Sequence, residues 1–206
     1  MWTLPQAVRD EMGIGAKEIL DDRQIEEKIR KAQEQIKEEL FDHHYNEVIN
    51  NNPATNATWD GTNKTFQTQK YPIMDSNYDN TVNSDDVTAR WLDTDYNYSV
   101  ASVTVSNATF GVLRITQTND AAIPANAENV VVEYYSCHRE ISKLHLENLT
   151  IFLAAHSVLN TLKAGTSISQ EDLMKNEKII MQSPNVFLKK YTRLLEQLQG
   201  TTIKGV

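Results

Sequence analysis

The sequence predicts an α+β fold: a helical core formed by its N- and C-terminal segments, with a small antiparallel β module inserted between them. Three observations carry this. Residues 1 to about 50 and 137–206 place apolar residues at helical spacing, residues 51–136 contain short alternating runs, and a stretch dense in Asn, Thr, Pro and Gly divides the first region from the second.

The elements follow in order. Pro5 suits the first turn of a short helix through QAVRDEM, which Gly13 and Gly15 end. Asp21 caps a second helix, with Gln24 three residues on. Ile25, Ile29, Ala32, Ile36 and Leu40 then form one apolar stripe, and Glu26, Glu27, Lys28, Arg30, Lys31 and Glu34 take the polar faces. NNNPATNATWDGTN reads as a loop. TFQTQ, DVTARWL, YSVASVTVS, GVLRIT and NVVVEYY read as strands, punctuated by Asn107, Gly111 and Ile123-Pro124. REISKLHLENLTIFLAAHSVLNTLKAG is apolar on more than one face towards its C-terminal half, so a central buried helix is expected, stopped by Gly165. Ser169 and Asp172 mark a capped turn through EDLMKNE. The closing helix starts at Ser183-Pro184, packs through Phe187, Tyr191, Leu194, Leu195 and Leu198, and ends at Gly200. The tail 200–206 has no internal partner and reads as mobile.

Composition narrows the function classes. Charged residues are 23% and hydrophobic ones 40%, as in a globular protein of one domain with an insertion. A net charge of −8 argues against a chain whose main task is gripping nucleic acid. Cys137 is the only cysteine, so no intrachain disulfide forms, which suits a reducing compartment. MWTLPQAVRDEMG has neither the basic start nor the apolar run of a secretion signal, and IFLAAHSVL is too short to span a membrane. A soluble intracellular protein is therefore expected. The Asn-x-Ser/Thr triplets at Asn56, Asn63, Asn97, Asn107 and Asn148 then reflect an Asn- and Thr-rich composition.

No catalytic constellation emerges. His138, His145 and His156 fall on nearly one line of the long helix, but the closer pair is about 10 Å apart along the axis, too far to share one metal ion. They read as core or interface histidines, and His43-His44 as a helix end. Cys137-His138 are adjacent, a poor arrangement for activating a nucleophile, with no Gly-rich oxyanion turn nearby. GxSxG, Walker A, GxGxxG, HExxH and CxxC patterns are all missing, so no enzyme is expected.

DSNYDNTVNSDDV is different. EF-hand-type loops ligate calcium from positions 1, 3, 5, 7, 9 and 12 and turn sharply at 6. Those positions are Asp75, Asn77, Asp79, the Thr81 carbonyl, Asn83 and Asp86. The spacing resembles the calcium loops of dockerins, DxNxDGxVNxxD, including Val82-Asn83. It departs from them with Asn80 at position 6, with strand-like VTARWL where a dockerin has helix, and with one copy where dockerins have two. Two readings stay open: a calcium site, or an Asx-rich connecting loop.

The whole order resembles the head–tail connector (adaptor) proteins of tailed phages and related archaeal viruses. The likeness rests on a short glycine-ended helix followed by DDRQIEEKIRKAQEQIKEEL, on TFQTQKYPIMDSN, FGVLRIT and NVVVEYYS before the central helix, and on HLENLTIFLAAHSVLNTL followed by a capped turn and YTRLLEQLQG. It covers most of the chain, by pattern more than by invariant motif. It implies a structural virion protein made in the host cytoplasm, in a homo-oligomeric ring, commonly of twelve copies. Such a ring docks beneath the portal protein, extends the DNA channel without specific DNA binding, and receives the next tail-completion or stopper protein. By position it implies a portal contact at Gln199, Gly200, Thr201, Thr202, Ile203, Lys204, Gly205 and Val206. The competing class is a calcium-dependent protein- or glycan-binding module without catalytic activity. Neither class involves a membrane.

Overall fold

The computed structural model describes residues 1–13, 21–49, 60–137, 141–164 and 183–200. The chain is mixed α+β, with four helices and a curled six-stranded antiparallel sheet among the described residues. It divides into two compact units, one made from residues up to Leu40 and from Ile141 on, the other from Phe41–Glu140.

The helical unit contains α1 (Pro5–Met12), α2 (Asp22–Leu40), α3 (Lys143–Lys163) and α4 (Pro184–Gln199). Gly13 closes α1 at φ 68°, in the left-handed region where a glycine costs least. The Asp21 carboxylate accepts the Gln24 N–H at 2.8 Å, satisfying one orphan donor at the start of α2. Ile25, Ile29, Ala32 and Ile36 are buried and Leu40 is half-buried, so the stripe read from the sequence is the packing face. It also takes in Gln33, which the stripe did not include.

α3 starts at Lys143, capped by Ser142, whose hydroxyl accepts the His145 N–H. Its buried residues include Leu146, Leu149, Thr150, Leu153, Ala155, Val158 and Leu162, which lie around most of its circumference. It touches α1, α2 and α4, and that is why so little of it is polar. α4 buries Phe187 and Tyr191 and half-buries Leu194, Leu195 and Leu198. The Tyr191 hydroxyl donates to Glu39 at 2.6 Å, and burial together with that carboxylate pushes its pKa up. No described helix is long and apolar enough to cross a membrane.

The β unit is the sheet β1 (Asp42–Val48), β2 (Thr65–Gln67), β3 (Thr88–Leu92), β4 (Tyr98–Asn107), β5 (Val112–Thr116) and β6 (Asn129–Ser136), in the order β1-β6-β3-β4-β5-β2. Five of these strands match runs that alternate in the sequence. β1 does not, and it corrects the helical reading of residues up to about 50: DHHYNEV pairs with β6 from Asp42↔Ser136 to Val48↔Val131. His43 and His44 are thus strand residues on opposite faces, not a helix end. His43 stacks on Tyr135 at 4.4 Å and His44 on Tyr134 at 4.8 Å.

β4 is shared by two halves of the sheet. Tyr98–Ala101 pair with β3, whereas Ser102–Asn107 pair with β5. One face of the sheet forms a core of Phe66, Val87, Ala89, Ala101, Leu113, Ile115, Val130, Val132 and Tyr134, closed by Ile49, Ile73 and Ile123. Gly15, His138, Gly165 and the Ser169–Asp172 turn lie outside the described residues.

Candidate functional site

The loop 75–86 leaves a short paired stretch at the end of β6, where Ile73 bridges Ser136 and the Met74 N–H donates to the Tyr135 carbonyl at 2.9 Å. It enters β3 through buried Val87. Both ends are therefore pinned to the sheet, and the acidic residues must turn back on themselves between them. The turn needs two left-handed residues, Tyr78 at φ 66° and Asn80 at φ 73°. Asn80 occupies the position where calcium loops carry glycine, and Asn tolerates this conformation better than other side-chain-bearing residues.

The side chains at the proposed ligand positions are engaged by hydrogen bonds within the loop itself. Asp75 accepts the Asp79 N–H at 3.2 Å on one oxygen and the Asn80 N–H at 2.8 Å on the other. The Asn77 amide oxygen accepts the Asp79 N–H at 2.9 Å. Asp79 Oδ1 takes the Thr81 N–H and hydroxyl at 2.8 and 2.7 Å, and Oδ2 takes the amides of Asn83 and Asn77 at 2.9 and 3.3 Å. Asn83 caps a single 3-10 turn, Ser84–Asp86, by accepting the Asp85 N–H. Asp86 is buried and closes the loop: Oδ1 accepts Ser76 N–H, Ser76 hydroxyl and Asn77 N–H, and Oδ2 accepts Asn83 N–H.

A carboxylate oxygen has two lone pairs, so Asp79 and the Oδ1 of Asp86 are filled by donors within the loop. Among the described residues, no group of three or more His, Cys, Asp or Glu is placed to hold a metal ion. A calcium ion entering here would have to displace the Thr81, Asn77 and Asn83 donors from Asp79.

The same donors set the acidity. The Thr81 hydroxyl and N–H hold the Asp79 carboxyl below its ordinary range, the Arg114 guanidinium does so for Asp120, and Thr62 with Asn63 lowers Asp60 to about 2. Each folded-state pKa lies below its unfolded value, so the stabilisation is present above about pH 4 and lost as the pH falls through the folded values. A series of urea midpoints from pH 6 to pH 2 is expected to fall below about pH 4, with the hairpin and loop amides of the β unit exchanging first.

The other sequence-singled residues scatter. His145 bonds Ser142 at the start of α3. The ring N–H of His156 donates to the Pro184 carbonyl at 2.9 Å and its other nitrogen accepts from Asn160 at 3.0 Å, joining α3 to the first turn of α4. Cys137 is buried. At the proposed portal contact, the Gln199 side chain donates to the Glu39 carbonyl and Gly200 ends α4 at φ 72°. Thr201, Thr202, Ile203, Lys204, Gly205 and Val206 lie outside the described residues.

The sequence reading missed the outer face of the sheet. Tyr45, Tyr98 and Val100 are exposed there, next to a shallow groove of about 650 Å³ where β4 leaves β3, which Arg90, Ser102 and Glu133 also line. The signal was present in NYSVAS: the bulky residues of β4 alternate with Ser99 and Ala101, so the large side chains point outward together. No protein-family model, no curated protein and no solved structure matches the chain.

Proposed function

We propose that this chain is a structural virion protein, an adaptor whose copies form a ring between the portal and the tail-completion proteins and extend the DNA channel. The observation that carries this is the chain order: two helices, an inserted antiparallel β unit, a long helix buried around most of its circumference, and a closing helix. This is the order on which the adaptor resemblance rests. The acidic balance agrees with a lumen that DNA passes without sticking, because carboxylates repel its phosphates. Gly200 ends the last helix, and residues 199–206 are the proposed portal contact. The test is electron microscopy of the protein mixed with its portal and of intact virions. A ring of this chain beneath the portal is expected, and a portal left bare would overturn the proposal.

A second reading, calcium binding at Asp75, Asn77, Asp79, Thr81, Asn83 and Asp86, is favoured by one feature. Asn80 takes the left-handed turn at the sixth position while its N–H reaches back to Asp75 at the first. An ion held only by the folded state raises the melting temperature. If calcium occupies the loop, the wild type melts higher in calcium than in chelator, and Asp79→Ala abolishes the difference. Equal midpoints mean that hydrogen bonds alone hold the loop.

A further inference from the structure

Charge is unevenly divided along this chain. Phe41–Glu140 contains thirteen carboxylates against five Lys and Arg, which accounts for the whole net charge of −8, while the remaining residues hold fifteen of each sign. Within the acidic unit, uncompensated charge gathers at one end of the sheet. The β3–β4 connection turns through Asp93, Asp95 and Tyr96, and the Glu128 N–H donates to the Leu92 carbonyl at 2.9 Å, which brings a third carboxylate beside the turn. Asp95 and Glu128 are exposed and form no ion pair among the described residues. Tyr96 is 77% exposed and Val100 70%, with Tyr98 exposed between them and the Arg90 guanidinium 5.7 Å over its ring.

The helical unit offers the opposite pattern. Val186, Lys189 and Arg193 stand at i, i+3 and i+7 on α4, about 140–160° around the helix from buried Tyr191. Lys190, one position on, is taken by Glu11 at 2.6 Å and by the rings of Phe152 and Phe187. Lys189 and Arg193 have no carboxylate partner among the described residues. Leu188 is exposed on the flank of the same helix. One surface thus carries two cations beside Val186, and the other is apolar and aromatic with anions at its rim. That is the complementarity expected of two faces that meet.

We propose that these two surfaces are the halves of one contact between successive copies of this chain, α4 of each copy docking on the β3–β4 hairpin of the next. The two patches differ, so the contact is heterologous, and heterologous contacts propagate and close into rings when the rotation allows. The proposal rests on the ring reading above and names the faces that build it. Tyr96 and Tyr98 supply rigid contact area, while the charges steer encounter and fix register.

The experiment is sedimentation velocity of the full chain over a concentration series, with two charge-reversed variants. Lys189→Glu/Arg193→Glu and Asp95→Lys/Glu128→Lys change only exposed side chains that hold no ion-pair partner among the described residues. Wild type is expected to self-associate at low salt and to weaken near 0.5 M salt, where the screening length falls to about 4 Å. Each variant alone is expected to associate at least about tenfold more weakly. An equimolar mixture of the two is expected to assemble again, because each reversed face then meets a complementary one. That rescue also shows that both variants fold. Wild type that forms rings insensitive to either reversal overturns the pairing and leaves the adaptor reading standing. Wild type that stays monomeric at every salt concentration overturns the pairing, and the adaptor reading is then judged separately by microscopy with the portal.

Discussion

Replacing Gly111 by alanine is expected to destabilise the β unit by about 3 kcal/mol, from two separable causes. Gly111 ends the β4–β5 turn at φ 65°, its N–H donating to the Ala108 carbonyl at 3.2 Å, where the register shifts between Val105 and Asn107. A left-handed residue closing such a turn is the usual bulge that lets a hairpin keep its twist, and a side chain there costs about 1 kcal/mol. The second cause is space. A Cβ on residue 111 would lie 2.0 Å from the Thr68 hydroxyl oxygen and 3.3 Å from the Tyr71 Cβ. Thr68 cannot simply swing away. It is buried, its hydroxyl donates to the Lys70 carbonyl at 2.8 Å, and its N–H donates to the Gly111 carbonyl at 2.9 Å. Chemical denaturation read by hydrogen exchange at β4 and β5 amides isolates this unit from the helical one. Thr68→Ala/Gly111→Ala should recover the part due to collision and leave the part due to φ, so the double-mutant coupling is expected to be favourable by about 1–2 kcal/mol. No coupling would mean that the backbone angle carries the whole effect.

The Gly111 turn was readable because a glycine after Asn107-Ala-Thr-Phe, set between two alternating runs, marks a hairpin connection. The strands that alternate were readable for the same reason, and so was α3, whose apolar residues surround it because three helices touch it. β1 was not readable. DHHYNEV has no apolar alternation, and what holds it lies about ninety residues away: Tyr134 and Tyr135 under the two imidazoles, Ser136 bonded to His44 and Glu133 bonded to His43. Pairing of that kind is a tertiary fact that no local window contains. The candidate loop was half readable. The spacing from Asp75 to Asp86 was visible, but nothing local says that Ser76 and Asn77 donate to Asp86 across ten and nine residues. The same limit hid the hairpin patch, since the nearness of Glu128 to Asp93 depends on strand order.

Asp86 supplies the second large effect. Asp86→Ala is expected to cost the β unit about 3–4 kcal/mol, because it strips a buried carboxylate from donors that nothing else can satisfy. The side chain is 4% exposed and accepts four donors: the N–H groups of Ser76, Asn77 and Asn83 and the Ser76 hydroxyl. Three are backbone groups, which cannot turn elsewhere without moving the chain, and the loop's route into β3 depends on them. Asp86→Asn keeps the shape but one of its two heads becomes a donor, so either Asn83 or the Ser76–Asn77 pair faces a hydrogen. It is expected to keep about half of the lost stability. Asp85→Ala is the control. It removes the neighbouring charge from the same 3-10 turn, but only its backbone N–H is used, by Asn83, so a change within about 0.5 kcal/mol is expected. All three are to be measured by chemical denaturation with chelator present throughout. If Asp86 matters only as a metal ligand, its replacement costs nothing under those conditions, and a full loss in chelator assigns the effect to the hydrogen bonds.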